Sequence, residues 1–133
     1  MEVSMAGNRM SNNPKQEEHF AHSFWEKWLQ SWNHRDLETI LAHYADEIEL
    51  RSPMAAHILG DPSGTVAGKQ NLREYFQKIL TVAPIDLGLE LLGVYEGVDS
   101  TIVHFKSNTG SGAEVMEVNA EGKVRRAVAH FRA

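Results

Sequence analysis

The sequence predicts an α+β fold, with helices in the first part of the chain and an antiparallel sheet in the second. Apolar residues recur at helical spacing up to about residue 80 and alternate with a period of two from about residue 87 onward. Short clusters of Gly, Asn and Asp separate the alternating segments, as expected for hairpins. The order of the two halves therefore indicates a group of helices followed by a meander.

Length and composition indicate one folded domain. The chain has 133 residues, of which 42% are hydrophobic and 23% charged, as in ordinary globular proteins. We expect a single domain over residues 13–133, preceded by a flexible tail over residues 1–12, which lack apolar periodicity. We find neither a membrane-spanning run nor a secretory signal, so we expect a cytoplasmic location.

The residue types exclude several classes of function. There is no cysteine, which excludes disulfides, thiol nucleophiles and cysteine-bound metals. The histidines lack metal-binding spacing, and we expect neither a metal nor a cofactor. The net charge is -5 and the longest basic run is Arg125-Arg126, which argues against nucleic acid as a partner.

A strong helix start opens the predicted domain. Asn13 is a suitable N-cap, and Pro14 follows it at the first helical position. The apolar residues then fall on one face of the helix, with Trp28 near its centre: Phe24, Trp25, Trp28, Leu29 and Trp32. A face of this size predicts that the helix packs against a sheet.

A second, short helix and a strand follow. Asp36 is placed to cap this helix, whose apolar residues keep helical spacing as far as Tyr44. A brief alternating strand is predicted over 48–51, ending at Ser52-Pro53.

A loop and a third helix complete the first half. Glycine and proline recur between residues 54 and 67, which predicts a loop. The third helix is expected from about Lys69 to just before Pro84, with three inward-facing residues: Leu72, Phe76 and Ile79.

Four strands are predicted in the second half. Their alternating residues are Leu87, Leu89 and Leu91; then Thr101, Val103 and Phe105; then Glu114, Met116 and Val118; and last Arg125, Ala127, Ala129 and Phe131. A curved sheet wrapped around the first helix would leave a cone whose mouth suits an apolar ligand.

Two segments, SWNHRDLETILAHYADEIELRSP and NAEGKVRRAVAHF, occur here in an order that resembles the NTF2-like superfamily. The resemblance is closest to its SnoaL-like and ketosteroid-isomerase-like branches, and it extends roughly from Glu17 to Phe131. It implies an NTF2-like (cystatin-like) cone with three N-terminal helices packed on a strongly curved, mainly antiparallel sheet. It also implies a homodimer formed through the outer sheet face, where Val124, Val128 and His130 are the expected row.

The resemblance also implies where catalytic groups would lie. In the ketosteroid isomerases, an Asp before the proline after the first strand is the base, and that position here is Ser52. Their helical tyrosine corresponds to Trp28, and their protonated oxyanion-binding Asp corresponds to Glu114. A serine hydroxyl cannot take the proton unaided. The carboxylate that SnoaL-type polyketide cyclases use on the last strand corresponds here to Ala127 or Ala129.

Glu114 and His57 are the candidate catalytic residues. A carboxyl beside Met116 would be desolvated and neutral near pH 7; alternatively, it points to water beside the turn at 110–112. His57 lies in the loop expected over the cone mouth and could replace the missing base, although loop histidines are usually surface residues.

The remaining candidates are expected to line a ligand cavity, or alternatively to be ordinary core: Trp28, Trp32, Tyr44, Ser52, Phe76, Met116 and Phe131. We therefore expect a small hydrophobic, ketone-like ligand and cofactor-free proton transfer, as in isomerisation, cyclisation or dehydration. The alternative is a non-catalytic dimeric interaction or ligand-carrier module. A cavity of about 300 Å³ or more would favour the ligand hypothesis.

Overall fold

Four helices and one six-stranded sheet make up residues 14–133, which the computed structural model describes with side chains from residue 21 onward. The expected tail (1–12) and the expected cap Asn13 lie outside the described residues. The helices are α1 (Pro14–Asn33), α2 (Leu37–Leu41), α3 (Pro53–Leu59) and α4 (Lys69–Val82). The strands are β1 (Tyr44–Arg51), β2 (Thr65–Ala67), β3 (Glu90–Glu96), β4 (Thr101–Ser107), β5 (Gly110–Val118) and β6 (Val124–Phe131).

The sheet has the order β2-β1-β6-β5-β4-β3. Only the β1–β6 pair is parallel; the other four pairs are antiparallel. Strands β3 to β6 form the predicted meander, and the chain enters the sheet first at β1, beside the last strand. The predicted α+β class with a mainly antiparallel sheet is confirmed. No helix in residues 14–133 is long and apolar enough to cross a membrane.

Helix α1 packs its tryptophan face against the inner face of the sheet, as predicted. Trp25, Trp28 and Leu29 are buried and belong to one core cluster with side chains from β4, β5 and β6. The Trp28 ring meets Phe105 of β4 edge to face, with ring centroids 6.4 Å apart. The helix is therefore held on the sheet by buried aromatic area and by an edge-to-face contact with β4.

The start of β1 was predicted wrongly. Asp36 caps α2 as expected, its side chain accepting the Thr39 N–H at 3.4 Å. However, α2 ends at Leu41, and Tyr44 begins the strand four residues before the predicted start. The reason is pairing with the end of the chain: Tyr44 lies opposite Val124, whose N–H donates to the His43 carbonyl at 2.8 Å.

The segment 54–67 is not a loop, since it contains helix α3 and strand β2. Ser52 is the N-cap of α3 and accepts the Met54 N–H at 3.1 Å, and Gly60 ends the helix with φ 68°. Gly64 then passes so close to Ser52 that a Cβ there would lie 2.5 Å from the Ser52 carbonyl oxygen. The Ser-Pro start and glycine stop were therefore helix signals rather than loop signals.

The first meander strand also begins later than predicted. Leu87 and Leu89 precede β3 and belong to a segment, residues 83–89, that we call the rim segment. Asn33 binds both backbone groups of Leu89, donating to its carbonyl and accepting its N–H, each at 2.9 Å. The Arg35 guanidinium donates to the carbonyls of Leu80 and of Pro84. Hydrogen bonds from Asn33, the last residue of α1, and from Arg35, just after it, thus hold the rim segment in place where a paired strand was expected.

Val124 was predicted on the outer face but is fully buried. The β5–β6 ladder shifts register between Glu117 and Val118, which turns Val124 toward the core. The outer apolar row instead runs across four strands through directly paired residues: Tyr95, Ile102, Val115 and Val128. We call this row the outer strip.

Asn33→Ala should lower the free energy of unfolding by about 1 to 3 kcal/mol, because both backbone groups of Leu89 would lose their partner in a half-buried site. Urea denaturation measures this. The control is Asn71→Ala, which removes one exposed bond to the Ala67 carbonyl and should cost less than about 1 kcal/mol. Equal losses in the two variants would contradict the anchoring role of Asn33.

Candidate functional site

A cavity of about 520 Å³ lies between the inner face of the sheet and helices α1, α3 and α4. Its wall is mainly aromatic and aliphatic, with Trp28 and Trp32 from α1, Phe76 from α4 and Phe105 and Phe131 from the sheet. Residues of the rim segment form one side of its mouth. This volume is within the range of about 300 to 1,000 Å³ that is typical of small-molecule pockets.

Most of the sequence-predicted site residues border this cavity: Trp28, Trp32, Tyr44, Ser52, His57, Phe76, Glu114 and Phe131. Met116 does not line it. Its side chain is fully buried in the core beneath α1, so Met116 fills space rather than facing the cavity.

The aromatic wall is held in place by contacts between its own members. Phe76 meets Trp32 at a centroid distance of 4.7 Å and Tyr44 at 5.4 Å, both edge to face. Each such pair contributes about 1 kcal/mol beyond area burial and fixes ring orientation. One wall of the cavity is therefore formed by aromatic packing between α1, α4 and β1.

Glu114 lies on β5 with its side chain on the inner face, two residues from the buried Met116. Protein surrounds the carboxyl, and the half-buried side chain retains accessible surface where it borders the cavity. Burial raises its pKa from 4.5 to about 7. Among residues 21–133, whose side chains are described, no hydrogen bond or ion pair to this carboxyl occurs, and the residue borders the cavity.

Tyr44 presents a hydroxyl to the same region. Its side chain is buried, and its oxygen accepts the Trp28 indole N–H at 3.0 Å and also interacts with the Trp32 indole. Burial, followed by the charge of Glu114, raises the pKa of Tyr44 far above its usual value. Because the phenol oxygen accepts from the Trp28 indole, the hydroxyl proton is the group that Tyr44 can offer to a ligand.

Tyr75 on α4 is a site residue that the sequence analysis missed. It is buried, borders the cavity and has a pKa raised to about 12, first by burial and also by the charge of Glu114. A hydrogen-bonding interaction with Ser52 acts in the opposite direction. The signal was present in the sequence, because Tyr75 lies three residues after Leu72 and four before Ile79, on the inward helix face.

His57 is exposed on α3 at the edge of the cavity. The expected mouth loop is thus a short helix that carries His57 in its last turn. No ion pair or hydrogen bond of the His57 ring occurs within the described residues. It has no neighbouring group that would orient it toward a substrate in the way a general base requires.

Together, Tyr44, Tyr75 and Glu114 form a cluster of three O–H groups at one end of an apolar cavity. The charge of Glu114 raises the pKa of both tyrosines, and Tyr75 also raises the pKa of Tyr44, which indicates that the three groups are close in space. All three are neutral donors somewhat below pH 7, and such preorganised donors bind a carbonyl or enolate oxygen. Ser52 is occupied in capping α3 and is not a base. Among the described residues, no group of three or more potential metal ligands occurs.

Comparison with known proteins agrees with this architecture. The family model of the SnoaL-like domain matches residues 25–133. A SnoaL-like protein of unknown function from Burkholderia thailandensis E264 is 36% identical, with a TM-score of 0.80 over 87% of this chain and 97% of that one. A search of curated proteins gives no match.

More distant structures share the fold at lower identity. A candidate isomerase of the SnoaL-like family from Agrobacterium tumefaciens C58 is 14% identical, with a TM-score of 0.62 over 84% of this chain and 96% of that one. A candidate ketosteroid isomerase from Kribbella flavida is 18% identical, with a TM-score of 0.59 over 84% and 76%. Since the family model covers most of the chain and a 36% identical structure spans nearly all of it, the chain belongs to the SnoaL-like family and has the NTF2-like fold.

Proposed function

We propose that this protein binds a small, largely apolar carbonyl compound in its cavity and catalyses a proton transfer on it. The observation that carries the proposal is the Glu114 carboxyl, which is enclosed, unpaired among the described residues and close to two tyrosine hydroxyls. Likeness in fold to candidate isomerases supports the same reaction class.

Binding would combine apolar area with one polar anchor. The aromatic wall removes the ligand skeleton from water, which contributes about 25 cal/mol per Å² of apolar surface. The carbonyl oxygen accepts from Tyr44 and Tyr75, whose own oxygens are already engaged by indole N–H groups or by Ser52. A ligand lacking that oxygen would leave buried hydroxyls unpaired and bind more weakly.

The chemical step assigns the proton to Glu114. In its ionised form the carboxylate takes a proton from the carbon next to the carbonyl, and the electron pair of the broken C–H bond moves to the enolate oxygen. The tyrosine hydroxyls stabilise that oxygen through hydrogen bonds. Where the ketone carries a β,γ double bond, that double bond is conjugated with the enolate, and Glu114 returns the proton to the γ carbon. The double bond thereby moves to the α,β position and the enolate oxygen becomes a carbonyl again, which completes an isomerisation. A pKa near 7 supplies both protonation states at neutral pH.

The first test is turnover of a ketone. Steroid-, terpenoid- and polyketide-like ketones are first screened for binding through the thermal stabilisation of the protein. A ligand at 100 times its Kd adds about 2.7 kcal/mol to the free energy of unfolding. For any ketone that is turned over, Glu114→Gln should lower kcat by at least about a hundredfold and leave Kd within about tenfold, because only the titrating proton is removed. Glu121→Gln, in an exposed turn, is the control and should keep full activity. Unchanged kcat in Glu114→Gln would refute the assigned role.

The second test is the pH dependence of stability. Between about pH 4.5 and 7, the folded protein keeps a proton on Glu114 that the unfolded chain releases, so stability should fall as pH rises through this window. A pKa of about 7 against 4.5 corresponds to a loss of about 3 kcal/mol at higher pH. Urea denaturation from about pH 5 to 9 should show that Glu114→Gln gains stability relative to wild type as pH rises. The Glu121→Gln variant should run parallel to wild type, and a parallel Glu114→Gln curve would contradict the buried acid.

The rival proposal is a non-catalytic dimeric interaction or carrier module, and the outer strip is the observation that favours a dimer. Four directly paired positions on neighbouring strands form a continuous apolar row, in which Tyr95 is 58% exposed and Ile102 39% exposed. A second copy applied through a two-fold axis would cover this row with the same row.

A dimer through the outer strip predicts that Ile102→Glu produces a monomer, because a buried unpaired carboxylate in a self-complementary interface is repelled by its own copy. Size-exclusion chromatography with light scattering gives the mass. The control is Val98→Glu, which changes an exposed side chain in the β3–β4 turn and should leave the mass unchanged. A wild-type monomer, or an Ile102→Glu dimer, would contradict this interface.

A further inference from the structure

We propose that the cavity accepts a two-ended ligand, with the carbonyl at the Glu114 end and an anionic group, most simply a carboxylate, bound by Arg132 at the mouth. This inference rests on the proposed function, because it extends the ligand bound by the tyrosine and glutamate cluster. It specifies the substrate class as an apolar oxo acid.

The cavity has polar residues at two separate places. The deep end has Tyr44, Tyr75 and Glu114. The end of β4, the turn after it and the start of β5 contribute hydroxyl residues at the mouth: Ser107, Thr109 and Ser111. Aromatic and aliphatic residues occupy the wall between them. A ligand that matches this wall is polar at both ends and apolar in the middle.

The charged side chains of the cavity indicate which of its two ends would bind the anionic group of the ligand. Arg132 is the one lysine or arginine among the cavity-lining residues, and its guanidinium has no ion pair or hydrogen bond with the part of the chain whose side chains are described, residues 21–133. Its backbone N–H donates to the Ser111 carbonyl at 3.0 Å, which fixes Arg132 beside the β4–β5 turn. An anion is disfavoured at the deep end, because it would meet the apolar surroundings and any negative charge on Glu114. The anion therefore belongs at the mouth.

The register of the sheet sets the length of the ligand. Glu114 lies directly opposite Ala129 on β6, and Arg132 follows three residues later. At about 3.3 Å per residue along a strand, the two polar ends are separated by about 10 Å between backbone positions. An extended chain of about eight carbon–carbon bonds between carbonyl and carboxylate has this length. Such a molecule also fits within a cavity of about 520 Å³.

Three matched probes test the assignment: 9-oxodecanoate, its methyl ester and 2-decanone. Affinities are measured by isothermal titration calorimetry at about pH 6, where the probe acid is ionised and Glu114, with a pKa of about 7, is mainly neutral. Wild type should bind 9-oxodecanoate about fivefold more tightly than the ester, a modest preference because the mouth is partly open to water. Added salt should reduce the preference.

Arg132→Gln should bring the acid-to-ester ratio to about one and leave the affinity for 2-decanone unchanged, whereas Arg132→Lys should keep part of the preference. The control is Arg125→Gln, which lies outside the cavity and is paired with Glu117. It should behave as wild type.

The outcomes separate this inference from the proposed function. If 2-decanone and the ester bind but the acid has no advantage, or if Arg132→Gln keeps the full advantage, the anion site is wrong and the ketone site stands. If none of the three probes binds, both are overturned. Loss of the advantage in Arg125→Gln would also count against Arg132, since it would indicate a general charge effect.

Discussion

The site depends on one constraint, which is that Glu114 must lie inside an apolar wall without a cation to neutralise it. A buried carboxylate without a partner is costly, so the protein keeps the proton on it, and this sets its pKa near 7. The loss of folding stability is offset by the core around the inner face of the sheet. Its buried side chains include Trp28, Leu29, Val103 and Met116. A residue whose burial lowers the stability of the folded protein is typical of a functional position.

Much of the structure can be understood as support for this arrangement. The Trp28 indole, which the sequence resemblance aligns with the helical tyrosine of ketosteroid isomerases, donates its N–H to the Tyr44 hydroxyl. Two tyrosine hydroxyls border the same cavity, that of Tyr44 on β1 and that of Tyr75 on α4. The rim segment, held by hydrogen bonds from Asn33 and Arg35, forms one side of the cavity mouth beyond the end of α4.

The fold was largely predictable because its determinants are local or periodic. The α1 face, the Asp36 cap, the α4 helix and the meander follow from spacing and capping residues in the sequence. The errors arose where distant residues decide the structure. Tyr44 joins β1 because the last strand pairs with it, and Val124 turns inward because of a register shift in β5–β6. Neither interaction leaves a local pattern.

The site was predictable in part. The alternation of side chains along β5 correctly indicated that Glu114 lies on the same face of the sheet as Met116. Alternation does not distinguish a residue that lines a cavity, such as Glu114, from one that fills the core, such as Met116. Tyr75 was missed because it is adjacent to Phe76, and both fit the same helix face. Arg132 gave no signal, since it follows the last alternating residue and is placed only by its bond to Ser111.

The most direct measurement of the central claim is the titration of Glu114 itself, followed through its carboxyl carbon by NMR with Glu114→Gln to assign the resonance. The account predicts a midpoint near pH 7. A midpoint at about 4.5, the ordinary value for glutamate, would mean that the carboxyl is solvated, and both the neutral donor and the proton-transfer role would be wrong.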